Sequence, residues 1–208
     1  MLSTRQLKFS YSNGPSFSFP DIDCGKGEHL LIIGESGRGK TTLLHLLAGL
    51  LKPESGEVLV ANTVTSSLSD SKLDKFRGKH IGIVFQTAHF VHSLSVLDNL
   101  MLAPFLAGNK VDKEKAIRSL SRLNLENKVS EMPSQLSVGE QQRAAIARAM
   151  MNDPDIILAD EPTSALDDRN ANDVISMLEE QASLTGASLI IVTHDKRIKD
   201  RFNNQVSL

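Results

Sequence analysis

Gly34-Glu35-Ser36-Gly37-Arg38-Gly39-Lys40-Thr41 lies between a compact apolar run, His29–Ile33, and a stretch of helical length and spacing at residues 41–51. The run before it reads as a buried strand. Glycines let the backbone curl so that successive N–H groups face one anion. The helix that follows adds the partial positive charge of its first turn. The spacing is that of a phosphate-binding P-loop. In such a loop Lys40 reaches the β- and γ-phosphates, and the Thr41 hydroxyl serves Mg²⁺. Gly34, Glu35, Ser36, Gly37, Arg38, Gly39, Lys40, Thr41 and Thr42 are therefore the candidate nucleotide contacts.

Outward from this loop, turn signals divide the chain. Residues 6–11 and 16–19 read as short strands around the turn Ser12-Asn13-Gly14-Pro15, and Gly25-Lys26-Gly27 turns again. Pro53 and Gly56 end the helix, and residues 57–60 and 81–85 are further strand candidates. Residues 96–106, 113–123 and 140–151 read as helices, with Pro133 breaking between the last two. The strand pattern returns at 156–159 and 188–193. A helix is expected at 168–184 and a last short one at 195–201. Alternating strands and helices predict an α/β fold with a mostly parallel sheet covered on both faces. The expectation is one domain, residues 1–208. Residues 1–86 and 153–208 form its nucleotide-binding core, with an N-terminal antiparallel β subdomain. Residues 87–152 form an inserted α-helical subdomain.

The 208 residues are 40% hydrophobic, enough for a sizeable core, and carry a net charge of -2. That balance offers no strong field for nucleic acid. The single cysteine, Cys24, cannot form an internal disulfide and fits a reducing compartment. No apolar run approaches the ~20 residues that span a bilayer, and residues 1–10 do not read as a secretory leader. His89 and His92 are three apart, but no cysteine or acid nearby completes a zinc set.

A P-loop needs a partner strand. Ile156-Ile157-Leu158-Ala159-Asp160 is apolar and ends in an acid, the Walker B pattern. Asp160 would hold Mg²⁺, and Glu161 could polarise the attacking water. Pro162-Thr163-Ser164-Ala165-Leu166-Asp167 follows directly. Upstream, Leu136-Ser137-Val138-Gly139-Glu140-Gln141-Gln142-Arg143 opens a helix, with Ser137 and Glu140 at the spacing of a capping box.

This last segment resembles the LSGGQ signature of ABC ATPases, and with the other motifs the resemblance spans essentially the whole chain. Val138 stands where the family has glycine, and Glu140 where it has glutamine. The resemblance implies a P-loop NTPase fold of ABC ATPase type and ATP hydrolysis with Mg²⁺. It also implies a head-to-tail dimer. Ser137, Gly139 and Glu140 of one subunit would complete the nucleotide site of the other. Gln86 looks like the glutamine that senses Mg²⁺ and water and links to a membrane partner. His194 looks like the switch histidine at the γ-phosphate, and Tyr11 like the aromatic that stacks on adenine. The catalytic set is thus Glu161, His194, Gln86 and Lys40, and the metal set Thr41, Gln86 and Asp160. Arg143 and Arg148 are expected to tune the packing of the signature helix.

Two classes of ABC ATPase compete: the subunit of a membrane transporter, and a soluble type acting on DNA or in translation. No long coiled coil separates the Walker motifs and the chain is not basic, which favours the first. The residues after Gln86 lie where transporter ATPases receive a permease, with Phe90, Val91 and Leu94 expected to line the docking groove around 86–97. The chain is similar to the branch of lipoprotein-releasing, macrolide-export and cell-division ATPases, some of which transmit motion rather than move a substrate. Such a protein would be cytoplasmic and held to the inner face of the cell membrane by the permease.

Overall fold

The computed structural model describes residues 1–164 and 166–208. Ala165, quoted above with the residues after Glu161, lies outside the described residues.

The chain begins with an antiparallel sheet. Strand β1 (Leu2–Ser10) pairs with β2 (Ser16–Ser18) and β3 (Ile22–Cys24). Strand β4 (His29–Ile33) leads into helix α1 (Lys40–Leu47). The chain then returns to the first sheet through β5 (Ser55–Val60), antiparallel to β1, and β6 (Thr63–Val64). Helix α2 (Asp70–His80) and strand β7 (Ile81–Val84) follow. Next come α3 (Val96–Ala107), α4 (Lys113–Arg122) and α5 (Val138–Ala149). Strand β8 (Ile156–Asp160), α6 (Asp168–Thr185), β9 (Ser188–Thr193) and β10 (Asn204–Ser207) complete the chain.

The second sheet runs β10-β4-β9-β8-β7, every pair parallel. The period of two along a strand explains why its strands are apolar throughout. Leu31, Ile157, Ala159, Leu189 and Ile191 face a core shared with α3 to α6. Their neighbours Leu30, Ile32, Ile156, Leu158, Ile190 and Val192 face a second core, shared with α1 and the antiparallel sheet. Each fully buried aliphatic side chain contributes about 1.5–3 kcal/mol relative to exposure. Both faces of the sheet are therefore fixed, and its strand ends form a stiff platform. In such sheets ligands gather beyond the carboxyl ends of the strands.

Several elements differ from the sequence expectation. Helix α1 stops at Leu47, short of residue 51, and Leu50 is exposed. Helix α2 has only Leu73 buried, so no apolar stripe announces it. It is held by tertiary contacts instead. Arg77 donates to the Gly49 carbonyl at 3.0 Å, and Asn152 Nδ2 donates to the Gly78 carbonyl at 2.8 Å. Strands β3 and β6 are too short to show a period, and β10 has Val206 as its one apolar residue. The final helix is a 3₁₀ segment, Lys196–Arg201. Cys24 is buried, and burial pushes its thiol up to about 11, which makes it inert.

Candidate active site

Four strand ends carry the candidate residues. β4 runs into the glycine-rich loop and β7 into Phe85 and Gln86, while β8 ends in Asp160 and Glu161 and β9 leads to His194. Because β4, β9 and β8 are adjacent, their termini come together, and the Gly34 amide donates to the Thr193 carbonyl at 3.3 Å.

The loop closes through a left-handed Gly39 (φ 86°) at the start of α1. No side chain caps that helix, whereas Ser95, Asp112, Ser137 and Asp167 cap α3, α4, α5 and α6. The first-turn N–H groups of a helix have no intrahelical partner. At α1 alone among these helices they are backed by a curled glycine loop, the arrangement of an anion site. Lys40 is buried, and its Nζ donates to the carbonyls of Gly34 and Glu35 at 3.0 Å each. The same ammonium stands 3.3 Å from Glu161 Oε1.

The Thr41 hydroxyl donates to Asp160 Oδ1 at 3.3 Å, so two of the three residues predicted to share a metal are in contact, while the third, Gln86, bonds elsewhere. Burial pushes the Asp160 carboxyl above its ordinary range, against the pull of the Thr41 bond. Glu161 is also buried, which pushes it up. Bonds from His194 and Thr193 outweigh that effect and leave it below the usual carboxylate range. Thr193 Oγ1 donates to Glu161 Oε2 at 2.8 Å, and His194 Nδ1 lies 2.9 Å from both carboxylate oxygens. Glu161 itself has φ 46°, left-handed for a residue that has a side chain.

Gln86 is exposed and donates from Nε2 to Ser164 Oγ at 3.3 Å, which places it over the turn after Glu161. The Tyr11 hydroxyl is 3.1 Å from Thr42 Oγ1, and its ring meets the edges of Phe9 and Phe17 at 4.7 and 6.4 Å. Phe17, unmarked in the sequence reading, also abuts the loop: a Cβ on Gly39 would fall 2.6 Å from its Cδ1.

The capping box at α5 is formed. Ser137 Oγ accepts from the Glu140 amide at 3.3 Å, and Glu140 Oε2 accepts from the Ser137 amide at 2.7 Å. Glu140 is thereby committed to holding the helix start. Val138 has no positive φ and is 62% exposed, so the signature segment is presented to solvent in ordinary helical geometry. Among the described residues no hydrogen bond or ion pair joins residues 137–140 to residues 34–42.

The segment after Gln86 corrects one expectation. Phe90 does not line a groove: it is buried in the core, with the Arg148 guanidinium 4.7 Å above its ring. Arg148 also donates to the His89 carbonyl, and burial lowers its basicity. It therefore pins the 86–95 segment. A groove of about 510 Å³ does open beside it, lined by Ile83, Phe85, His89, Val91, Leu102 and Leu106 among others.

A family model described as ABC transporter matches residues 19–164. The chain belongs to the ABC transporter family. It is an ATP-binding subunit of a transporter, and its enzymatic activity is ATP hydrolysis. It is 42% identical to the lipoprotein-releasing system ATP-binding protein LolD of Buchnera aphidicola subsp. Acyrthosiphon pisum (strain APS), over 95% of this chain and 90% of that protein. It is 38% identical to LolD of Legionella pneumophila (strain Lens), over 100% of this chain and 94% of that one. The dimeric structure of the ATP-binding cassette MJ0796 in a post-hydrolysis state bound to ADP and Pi superposes with TM-score 0.90. That pair shares 32% identity and covers 100% and 94% of the two chains. This ABC ATPase therefore has the P-loop NTPase fold that its motifs implied.

Proposed function

We propose that this ABC ATPase drives a separate membrane permease by closing a head-to-tail dimer on ATP, and that it acts on the cytoplasmic face of the membrane. The supporting observation is the contact network that gathers Lys40, Thr41, Asp160, Glu161 and His194 beyond three adjacent strands. The loop from Gly34 to Thr42 would cradle the phosphates, with Tyr11 against the base. Thr41 and Asp160 form an oxygen donor pair suited to Mg²⁺. Among the described residues no group of three or more His, Cys, Asp or Glu could hold a metal, so phosphate oxygens would share it. When bound there, Mg²⁺ supplies neutralisation of phosphate charge.

Glu161, ionised below the usual carboxylate range, orients the attacking water as an acceptor. Lys40 carries a fixed positive charge to the transferred phosphoryl group, and His194 holds the Glu161 carboxylate through Nδ1. Gln86, bonded to Ser164, ties the β7 end to the turn after Glu161. Ser137 is exposed and Gly139 half-buried, and among the described residues neither is bonded to the loop at 34–42, which supports their completing the site of a second subunit. A Cβ on Gly139 would meet only Arg143 Nη1, at 3.7 Å, so this chain's own packing does not require a glycine there. Residues 87–152 act in this scheme as the helical subdomain. Its border with the core carries the groove at Phe85, His89, Val91 and Leu106, where a permease segment would seat.

The test is Glu161→Gln. This variant binds ATP, turns over at least a hundredfold more slowly, and accumulates as a dimer on size-exclusion chromatography with ATP but not with ADP. Normal steady-state turnover would refute the role of Glu161. A monomer at saturating ATP would refute the sandwich. Co-purification with a polytopic protein from detergent-solubilised membranes tests the permease.

A further inference from the structure

The left-handed backbone at Glu161 (φ 46°) is a conformation that persists only where the surroundings over-determine it. The turn itself supplies part of the restraint. The Glu161 amide donates to the Val192 carbonyl at 2.8 Å, and its carbonyl accepts from the Ser164 amide at 3.2 Å. The rest comes from beyond β9. Thr163, fully buried, donates from Oγ1 to Asp195 Oδ2 at 2.8 Å. The Asp195 amide donates to Thr193 Oγ1 at 3.0 Å, and that hydroxyl is the one bonded to Glu161 Oε2. A ring of contacts thus runs from Glu161 through Thr193, Asp195 and Thr163 back to the turn that carries Glu161.

Arg197 locks this ring from outside. Its Nε donates to Asp195 Oδ1 and Oδ2 at 2.9 and 3.0 Å, and its Nη2 to Oδ2 at 2.7 Å. Its Nη1 donates to Asp168, in the first turn of α6. The planar guanidinium fork suits this double grip in a way an ammonium cannot. Arg197 draws the Asp195 carboxyl down to about 2, with burial opposing. Thr163 is thereby held by Asp195, and Asp168 by Arg197.

We propose that Asp195 and Arg197 are positioning residues for ATP hydrolysis: they brace the turn at 161–164 in its left-handed form and so aim the Glu161 carboxylate. The inference rests on the reading of Glu161 as the group that orients water. Among the described residues neither bonds to the loop at 34–42, so the brace acts on turnover and not on nucleotide capture. Misplacing a catalytic group by about 1 Å can cost on the order of a hundredfold.

The experiment uses the full chain with Arg197→Ala, Arg197→Lys, Thr163→Val, the Ala/Val double variant and Glu161→Gln. Steady-state kcat and KM, the affinity for a fluorescent ATP analogue and thermal unfolding are measured for each. Arg197 is half-exposed, so its truncation leaves a folded protein. Arg197→Ala lowers kcat about tenfold or more, with ATP affinity within about twofold, and Arg197→Lys recovers part of the loss. Thr163→Val gives the same kcat-selective loss. The double variant is no worse than about twofold below the poorer single, because both act on one ring. A kcat for Arg197→Ala within twofold of the parent, an equal loss in ATP affinity, no recovery by lysine, or multiplying losses in the double variant overturns the brace. Glu161→Gln separates the two failures. If it is inactive while Arg197→Ala is normal, the brace alone falls. If Glu161→Gln itself turns over normally, the reading of Glu161 falls.

Discussion

Gly37 and Gly39 are both left-handed, at φ 81° and 86°, but a methyl group meets different surroundings at the two positions. A Cβ on Gly37 has nothing within 4 Å, so Gly37→Ala carries only the left-handed penalty. That penalty is about 1 kcal/mol, or about fivefold in the population of the binding conformation. A Cβ on Gly39 falls 2.6 and 2.7 Å from Phe17 Cδ1 and Cε1. Carbon atoms in contact sit about 3.5–4.0 Å apart, so the ring must move by roughly 1 Å. Phe17 cannot move freely, because it stacks on Phe19 at 5.8 Å and meets the Tyr11 edge. Overpacking of this kind costs about 1–3 kcal/mol. Gly39→Ala therefore totals about 2–4 kcal/mol, and at about 1.4 kcal/mol per decade ATP affinity falls roughly 30- to several-hundredfold. Isothermal titration with ATP, beside thermal unfolding, measures it. Adding Phe17→Ala removes the clash and returns Gly39→Ala to the level of Gly37→Ala. Equal affinities for the two alanine variants, or no recovery with Phe17→Ala, would show that the loop does not depend on the aromatic wall.

Lys40→Ala leaves Glu161 buried without its ammonium partner and removes the charge at the phosphates; ATP affinity drops at least tenfold, and an unchanged titration curve would refute the loop assignment. Ser137→Ala removes the cap of α5 and costs about 1 kcal/mol in urea unfolding, with ATP-driven dimerisation weakened as well. Asp195 has a folded pKa of about 2, below its unfolded value. A depressed carboxyl stabilises above the unfolded pKa and loses that contribution as pH falls through the folded one. Between about pH 5 and pH 2 the parent therefore loses about 1–2 kcal/mol that Asp195→Asn does not. Parallel acid-unfolding curves for the two proteins would contradict this.

The local structure of the candidate site was legible in the sequence wherever particular residue types stand at a fixed spacing. The 34–41 loop, the apolar run closing on Asp160 and Glu161, and the Ser137 cap are local in the chain, and each stands where its spacing predicted. Helix α2 was invisible because its stability comes from Arg77 and Asn152 reaching across the fold rather than from its own periodicity. Phe90 reads as a groove residue in the sequence because a loop aromatic gives no sign of which way it turns. The Arg148 guanidinium above its ring, from a helix far along the chain, decides that it is buried. The brace of Thr163, Asp195 and Arg197 was unreadable for a similar reason. Its members lie on either side of α6, and only the return of β9 beside β8 joins them.

The parallel sheet assigns alternate residues of one strand to different cores, and this has a consequence for inheritance of damage. Ile190 and Ile191 are chain neighbours, yet they belong to opposite sides of a partition. A shortened side chain at Ile190 is felt by α1 and the antiparallel layer behind the nucleotide loop. The same change at Ile191 is felt by the helices that carry the signature and the groove. Substitutions one residue apart therefore loosen different layers of the fold. Each of the central strands β4, β8 and β9 is thus a shared wall whose two faces answer to different layers.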